Sequence, residues 1–396
     1  MKNSQRAKGP AKNVGNPFIT FSRILSAMHI VQLSTALPKD EYSTDELLKA
    51  FPCKLPDGVK QNVFNLGVST RRLITQCDSL KPEKVMDEKP FLDLCKEACQ
   101  TAMQEAGLSA KNIGCLIAAY DANPFLTPGL SQLLVPKLGL DSYVRHVNAQ
   151  GIASTAFIKT LELAGNYLAV HPEDNVLICV SGVSSYWFQN QVQGLTEVRE
   201  IGKINEMTDK ARRELELRKW VATMQYFLFG DGVAAAVVAK SDKGMRVDRI
   251  TEVTNVEEKD YLAGYARLAC LGEPFKFGFR SHLDREIPKL GVKYTGLALE
   301  RLFGKDVAKM KDVRKWAIHT GSEKILDALA EHHGIGREKL RESHEVLNEY
   351  GNLAGASLPF IFEKIVSSTT FSKGDTILML GYGWGFSASA CLLESR

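Results

Sequence analysis

Amphipathic stretches alternate along this chain with short, almost wholly apolar runs. The segment AMHIVQLSTALPKDEYSTDELLKAF predicts a strand, a proline turn and a short helix. Ser43 stands at the helix start with Glu46 three residues on, the spacing of a capping box. FLDLCKEACQTAMQEAGLSAKNIGCLIAAY predicts an amphipathic helix, a glycine stop and a buried strand. GIASTAFIKTLELAGNYLAVHPEDNVLICVSG repeats that order, and TDKARRELELRKWVATMQYF predicts a helix offering Leu215, Leu217 and Trp220 for packing. Alternation of this kind specifies a layered α/β architecture around a largely buried sheet.

Two glycine turns lead into strands of small residues: FGDGVAAAVVAK, 229–240, and GYGWGFSASACLLE, 381–394. With the strand-then-helix unit DVRKWAIHTGSEKILDALAEHHG, they predict an internal duplication with a boundary near residue 240. The halves are 21–240 and 241–396, behind a polar, basic leader over 1–20 that is expected to be flexible. Chance reuse of such segments in α/β chains gives the same pattern, so the pattern alone does not decide between the two.

Composition narrows the class. With 396 residues, 44% apolar and 24% charged, the chain reads as a soluble globular protein. A net charge of +4 without a basic cluster gives no support for nucleic-acid binding. The eight cysteines lack zinc-site spacing, and Cys115, Cys179 and Cys391 lie in apolar runs where a reduced thiol packs as a small hydrophobe. No metal, tightly bound cofactor or membrane span is expected, and the cytoplasm is the default location.

The stretch HVNAQGIASTAFIK leads a polar turn into a helix, a common place for a nucleophile because helix starts offer unpaired N–H groups. The residue there is Gln150; Ser154 is a conceivable nucleophile further on, though serines inside helices are usually inert. His319 follows the apolar run KWAI, where it either faces a crevice or fills a strand-to-helix turn. Asn352, among Gly351, Gly355 and small residues, suits a helix N-cap or an amide donor to an anionic oxygen. The turn at Gly381, Gly383 and Gly385 matches no nucleotide-binding fingerprint.

From about residue 28 to its end the chain resembles the thiolase-like superfamily, specifically chalcone-synthase-like type III polyketide synthases and ketoacyl-carrier-protein synthase III. The most specific stretches are WAIHTGSEKILDAL, HEVLNEYGNLAGASLPFIFEKI and GYGWGFSASACLL. The resemblance implies a duplicated five-layered α-β-α-β-α fold, a dimer, and a Cys, His and Asn meeting at the end of a pantetheine tunnel. His319 and Asn352 match the family's His and Asn. Gln150 takes the place of the cysteine, with Gly151 the adjacent alternative. Ser281, beside His282, stands where plant-like members carry a pocket phenylalanine, and Trp384 beside Gly383 is bulkier than the usual occupant of the C-terminal turn. The family's phosphate-contacting basic residues are missing from their positions, and Arg71 and Arg72 are the candidates to replace them.

An amide cannot be usefully acylated, so covalent storage of an acyl group is not expected. The resemblance implies instead decarboxylation of a malonyl-type or β-keto-acid thioester by His319, Asn352 and Gln150, with or without acylation of the carbanion. It equally implies a partner subunit for a cysteine-bearing ketosynthase, or acyl transfer to an amine or alcohol. Coenzyme A or phosphopantetheine carries the substrate in each case. The expected partners are a second copy, a related ketosynthase or an acyl carrier protein.

Overall fold

The computed structural model describes residues 28–74, 88–125, 127–268 and 279–396; the leader, Cys77 and Cys270 lie outside them. Its strands are β1 (Met28–Ala36), β2 (Glu41–Ser43), β3 (Thr70–Arg72), β4 (Ile113–Tyr120), β5 (Arg145–Gln150), β6 (Asn175–Ser181), β7 (Val233–Lys240), β8 (Met245–Thr254), β9 (Gly264–Leu268), β10 (Phe279–Leu283), β11 (Lys315–Ile318), β12 (Thr376–Gly383) and β13 (Ser387–Glu394). Nine of them form one mixed sheet in the order β11-β12-β13-β8-β1-β7-β6-β4-β5. The join between β1 and β8 is short, His29 to Arg246 and Ile30 to Met245. On either side of it the order repeats, β1-β7-β6-β4 against β8-β13-β12-β11.

Seven helices position the site: α1 (Glu88–Glu105), α2 (Leu130–Leu138), α3 (Ala156–Val170), α4 (Ile287–Phe303), α5 (Glu323–His333), α6 (Arg341–Tyr350) and α7 (Ser357–Ser368). Strand periodicity sorts them into layers. Leu116, Ala118, Leu177 and Cys179 face α1 and α2, while their neighbours Cys115, Ile117, Val176 and Ile178 face α3. In the other half Ile377 and Met379 join the same central cluster as α3 and α7, whereas Leu378 and Leu380 face α4 and α5. The result is the α-β-α-β-α stack expected from the sequence, with α3 and α7 as its middle layer. Both are apolar nearly all round because both are covered by sheet on two sides.

The capping box holds: the Ser43 hydroxyl accepts from Glu46 N–H at 3.2 Å, and the Glu46 carboxylate accepts from Ser43 N–H at 2.8 Å. In the helix Lys210–Leu228, half-buried Trp220 packs as expected against the cluster around Phe51, Val59 and Phe227, and Leu215 and Leu217 are half-buried. Before Val221 the one fully buried position is Glu216, ion-paired with Lys219 at 2.8 Å and Arg199 at 3.3 Å. No helix among the described residues is long and apolar enough to cross a membrane.

Candidate active site

The nucleophile-like stretch does not open a helix at Gln150. Gln150 is the last residue of β5, paired with Tyr120, and α3 begins only at Ala156. Between them Gly151 (φ 72°) and Ala153 (φ 45°) turn the chain, followed by a 3-10 turn over Ala153–Thr155 that contains Ser154. A positive φ at alanine is uncommon. The second half contains its counterpart: Ala354 (φ 47°) opens the 3-10 turn Ala354–Ala356 just before α7. Counting from these alanines, Asn352 corresponds to Gly151 and Gly351 to Gln150.

The two turns touch. A β-carbon on Gly355 would stand 2.9 Å from the Ala156 side chain and 3.3 Å from the Ala153 carbonyl oxygen. The C-terminal glycine turn closes on the same place: a β-carbon on Gly383 would lie 2.9 Å from that of Ala153, and one on Gly381 would lie 2.6 Å from the Ser154 carbonyl oxygen. Only glycine lets the backbones approach this closely.

His319 sits one residue beyond β11, 3% exposed, its ring edge-on to Tyr382 of the glycine turn at 5.3 Å. Burial pushes its imidazole down to about 3, so the ring is neutral at physiological pH. Its Nδ1 is buried with no hydrogen-bond partner among the described residues. Asn352 is 5% exposed. Its Oδ1 accepts from Ala354 N–H at 2.8 Å, bridging a turn two residues long; it is not the N-cap expected from the sequence, since Leu353 and Ala356 hold those positions. Its backbone is held by Leu228 and Gly230, at 2.9 and 3.2 Å. His319 and Asn352 are brought together through their successors: the Ser357 hydroxyl accepts from Thr320 Oγ1 at 2.9 Å and from Leu353 N–H at 3.0 Å.

Other expected residues stand apart. The Gln150 side chain is exposed, as is most of β5. Ser281 and His282 lie on the separate hairpin β9–β10, paired with Ala266 and Tyr265, and the His282 ring stacks on that of Tyr265 at 5.4 Å. Trp384 links this hairpin to the glycine turn, for a β-carbon on Gly264 would stand 2.8 Å from its indole. Arg71 is fully buried and donates to Thr44 Oγ1 at 2.7 Å, while Arg72 pairs with Glu41 at 2.7 Å. A buried guanidinium cannot meet a phosphate held in solvent, so of the two only Arg72 has surface to offer. Glu323, Asp327 and His344 have ligand atoms within 4.8 Å of one another, but Arg337 already pairs with Glu323 at 2.9 Å.

Sequence reasoning missed Asp121. It follows directly on β4, one residue past the partner of Gln150. Burial raises this carboxyl to about 6, partly offset by the nearby Ala153 backbone N–H. An aspartate directly after the apolar run CLIAAY was the available signal, since the carboxyl ends of parallel strands are where α/β folds place their sites.

The sequence model for the C-terminal region of 3-oxoacyl-[acyl-carrier-protein] synthase III matches residues 305–395, the segment holding His319, Asn352 and the glycine turn. The chain is 24% identical over 377 residues to the 3,5-dihydroxyphenylacetyl-CoA synthase of Amycolatopsis orientalis, covering 91% of this chain and 92% of that protein. It is 27% identical over 309 residues to β-ketoacyl-[acyl-carrier-protein] synthase III of Clostridium perfringens, covering 76% and 84%. The crystal structure of 1,3,6,8-tetrahydroxynaphthalene synthase from Streptomyces coelicolor superposes with a TM-score of 0.77 at 22% identity, over 93% of this chain and 99% of that one. The fold is thiolase-like. The chain is thus similar to type III polyketide synthases and to ketoacyl-carrier-protein synthase III.

Proposed function

We propose that this protein processes an acyl thioester without storing the acyl group on a side chain. A malonyl-type or β-keto-acid thioester, carried on coenzyme A or phosphopantetheine, loses carbon dioxide while His319 and Asn352 donate hydrogen bonds to its carbonyl oxygen. The enolate is then protonated or acylated by a second thioester. What supports this reading is a neutral, buried His319 whose neighbour Thr320 is joined through Ser357 to Leu353, next to Asn352, in a chain whose residues 150–155, Gln-Gly-Ile-Ala-Ser-Thr, include no thiol. A neutral imidazole can give a proton share to a developing oxyanion, and each well-placed donor is worth about 3 kcal/mol at the transition state. Asn352 has its Oδ1 engaged by the turn, so Nδ2 is the atom free to donate.

The duplication into 21–240 and 241–396 belongs to this proposal, since each half then contributes one left-handed alanine turn to a shared cleft. So does a homodimer. The open β5 edge is suited to pairing with a second copy, which would cover Gln150 and turn its amide from solvent toward the site.

That same edge, together with Trp384 packed over the hairpin, favours a second reading: a partner subunit for a cysteine-bearing ketosynthase. Measuring carbon dioxide from carboxyl-labelled malonyl-CoA and malonyl-carrier protein separates the two. The enzyme reading expects release by the purified protein, reduced about 100-fold or more by His319→Ala. No release alone, with activity only beside a thiol-bearing ketosynthase, establishes the partner subunit instead.

A further inference from the structure

We propose that Glu323, Asp327 and His344 form a site for a divalent transition-metal ion of the zinc class, which clamps α5 to α6. The site stands apart from the thioester chemistry above and does not depend on it. α5 begins four residues after His319 and α6 ends two residues before Asn352, so an ion here ties together the two helices that flank those residues in the chain. The cysteine spacing that predicts no metal does not bear on it, since no cysteine takes part.

Glu323 and Asp327 are one turn apart on α5, a spacing that brings both carboxylates to one face. His344, in the first turn of α6, meets them from the neighbouring helix, and one ligand atom from each of the three lies within 4.8 Å of the others. His344 Nδ1 stands 2.9 Å from Glu323 Oε2. Two ligand atoms at about 2.1 Å from one ion, at angles from square to tetrahedral, are separated by about 3.0–3.4 Å. The pair is therefore already close to the spacing of adjacent ligands. Glu323 is also held from behind: its N–H donates to the Leu66 carbonyl at 3.2 Å, and a β-carbon on Gly67 would stand 2.8 Å from its Cβ. The His344 side chain is only 11% exposed, so packing fixes the ring where the carboxylates meet it.

Two further observations point to a cation. Arg337 lays its guanidinium on the same carboxylates, 2.9 Å from Glu323 and 3.9 Å from Asp327, so a positive charge already occupies the place. Its side chain is 71% exposed, so these ion pairs contribute little and an ion can displace it into water. A coordinating imidazole carries no charge, and with Arg337 displaced the two carboxylates match the charge of a divalent ion. The second observation is His344 Nε2, buried with no hydrogen-bond partner among the described residues. One hydrogen bond to Glu323 offsets the cost of burying such a ring only in part, whereas coordination through Nδ1 offsets it many times over. A cavity of about 390 Å³ lined by Arg337, Glu338, Arg341, His344 and Glu345 leaves room for water to complete the coordination. One nitrogen and two carboxylate oxygens suit zinc, cobalt(II) or nickel(II) better than magnesium or calcium, which take oxygen ligands.

The test is isothermal titration of the full chain, cleared of metal with a chelator, with zinc chloride. The expected result is one site, weakened about tenfold or more by His344→Gln and by Asp327→Asn. Asp327 is exposed, so Asp327→Asn folds even where His344→Gln does not. Arg337→Gln removes the competing cation and is expected to bind zinc more tightly than wild type. Zinc is expected to raise the melting temperature of the wild-type protein more than that of Asp327→Asn, because only an intact site couples binding to folding. Magnesium chloride is expected to bind about tenfold more weakly than zinc, or not at all. Absence of zinc binding overturns the proposal. Binding that Asp327→Asn leaves unchanged places the ion elsewhere, on thiols or the surface, and overturns it as well, as does weaker or equal affinity in Arg337→Gln. No thioester enters these measurements, so failure of the decarboxylation reading leaves their outcome untouched.

Discussion

Thr320 donates a hydrogen bond of 2.9 Å to Ser357 inside a fully buried part of the second half, and this contact joins the strand end that carries His319 to the helix start that follows Asn352. The same Ser357 hydroxyl accepts from Leu353 N–H at 3.0 Å. One oxygen therefore sets the relation between two residues 33 positions apart in the chain.

Ser357→Ala leaves both the Thr320 hydroxyl and the Leu353 N–H without their acceptor. The expected loss is about 1–3 kcal/mol of stability, because buried donors left unpaired cost their desolvation. Urea denaturation of Ser357→Ala, Thr320→Val and the double variant checks this. The two changes are expected to be non-additive, since they break one shared bond.

His319 gives stability a pH dependence of known sign. Its folded value, about 3, lies below the unfolded 6.5, so as pH falls the unfolded chain takes up a proton that the folded one refuses. This contribution is fully present above 6.5 and is lost progressively as pH falls toward 3. Thermal melts from pH 7 to 4 are expected to show a steeper fall for wild type than for His319→Gln.

Asp121 works in the opposite direction. Its carboxyl is raised from 3.8 to about 6, so the folded chain holds a proton that the unfolded chain releases in that window. Stability declines from this source as pH rises through 3.8 to 6, then levels off. Asp121→Asn is expected to melt at a higher temperature relative to wild type at pH 8 than at pH 4.

Trp384 and Gly264 are matched in size. Gly264→Ala places a β-carbon 2.8 Å from the indole, forcing the hairpin or the glycine turn to shift. The melting temperature is expected to fall in Gly264→Ala, and adding Trp384→Ala is expected to recover part of the loss.

The β5 edge and its approach expose apolar side chains: Tyr143 is 92% and Val147 44% exposed. If a second copy pairs there, Tyr143→Asp with Val147→Asp is expected to convert a dimer to a monomer in light scattering. An unchanged mass would place the dimer contact elsewhere.

Much of this architecture was legible because buried strands announce themselves as unbroken apolar runs, as in CLIAAY and VLICVS. Ser43 and Glu46 were legible because a capping box is a purely local device. The start of α3 was misread because GIASTAFIK has helical composition throughout; the left-handed geometry at Ala153 is imposed by packing against Gly383 and Gly355, which are 230 and 202 residues away. Asp121 was missed for a related reason: DANPF looks like an ordinary polar loop, and the burial that raises its carboxyl is set by chain packed around it from elsewhere in the sequence. Glu216 escaped notice because amphipathic spacing favours leucine as the inward residue, and only ion pairing with Arg199 and Lys219 makes a glutamate tolerable there.

Strand β13 lies between β12 and β8 and ends at Glu394. During synthesis, then, a ribosome must deliver the chain through Glu394 before the second half of the sheet can close, and through Gly383 before that turn can settle against Ala153. A nascent chain carrying every residue up to Asn352 would still lack β12, β13 and the glycine turn that packs on Ala153.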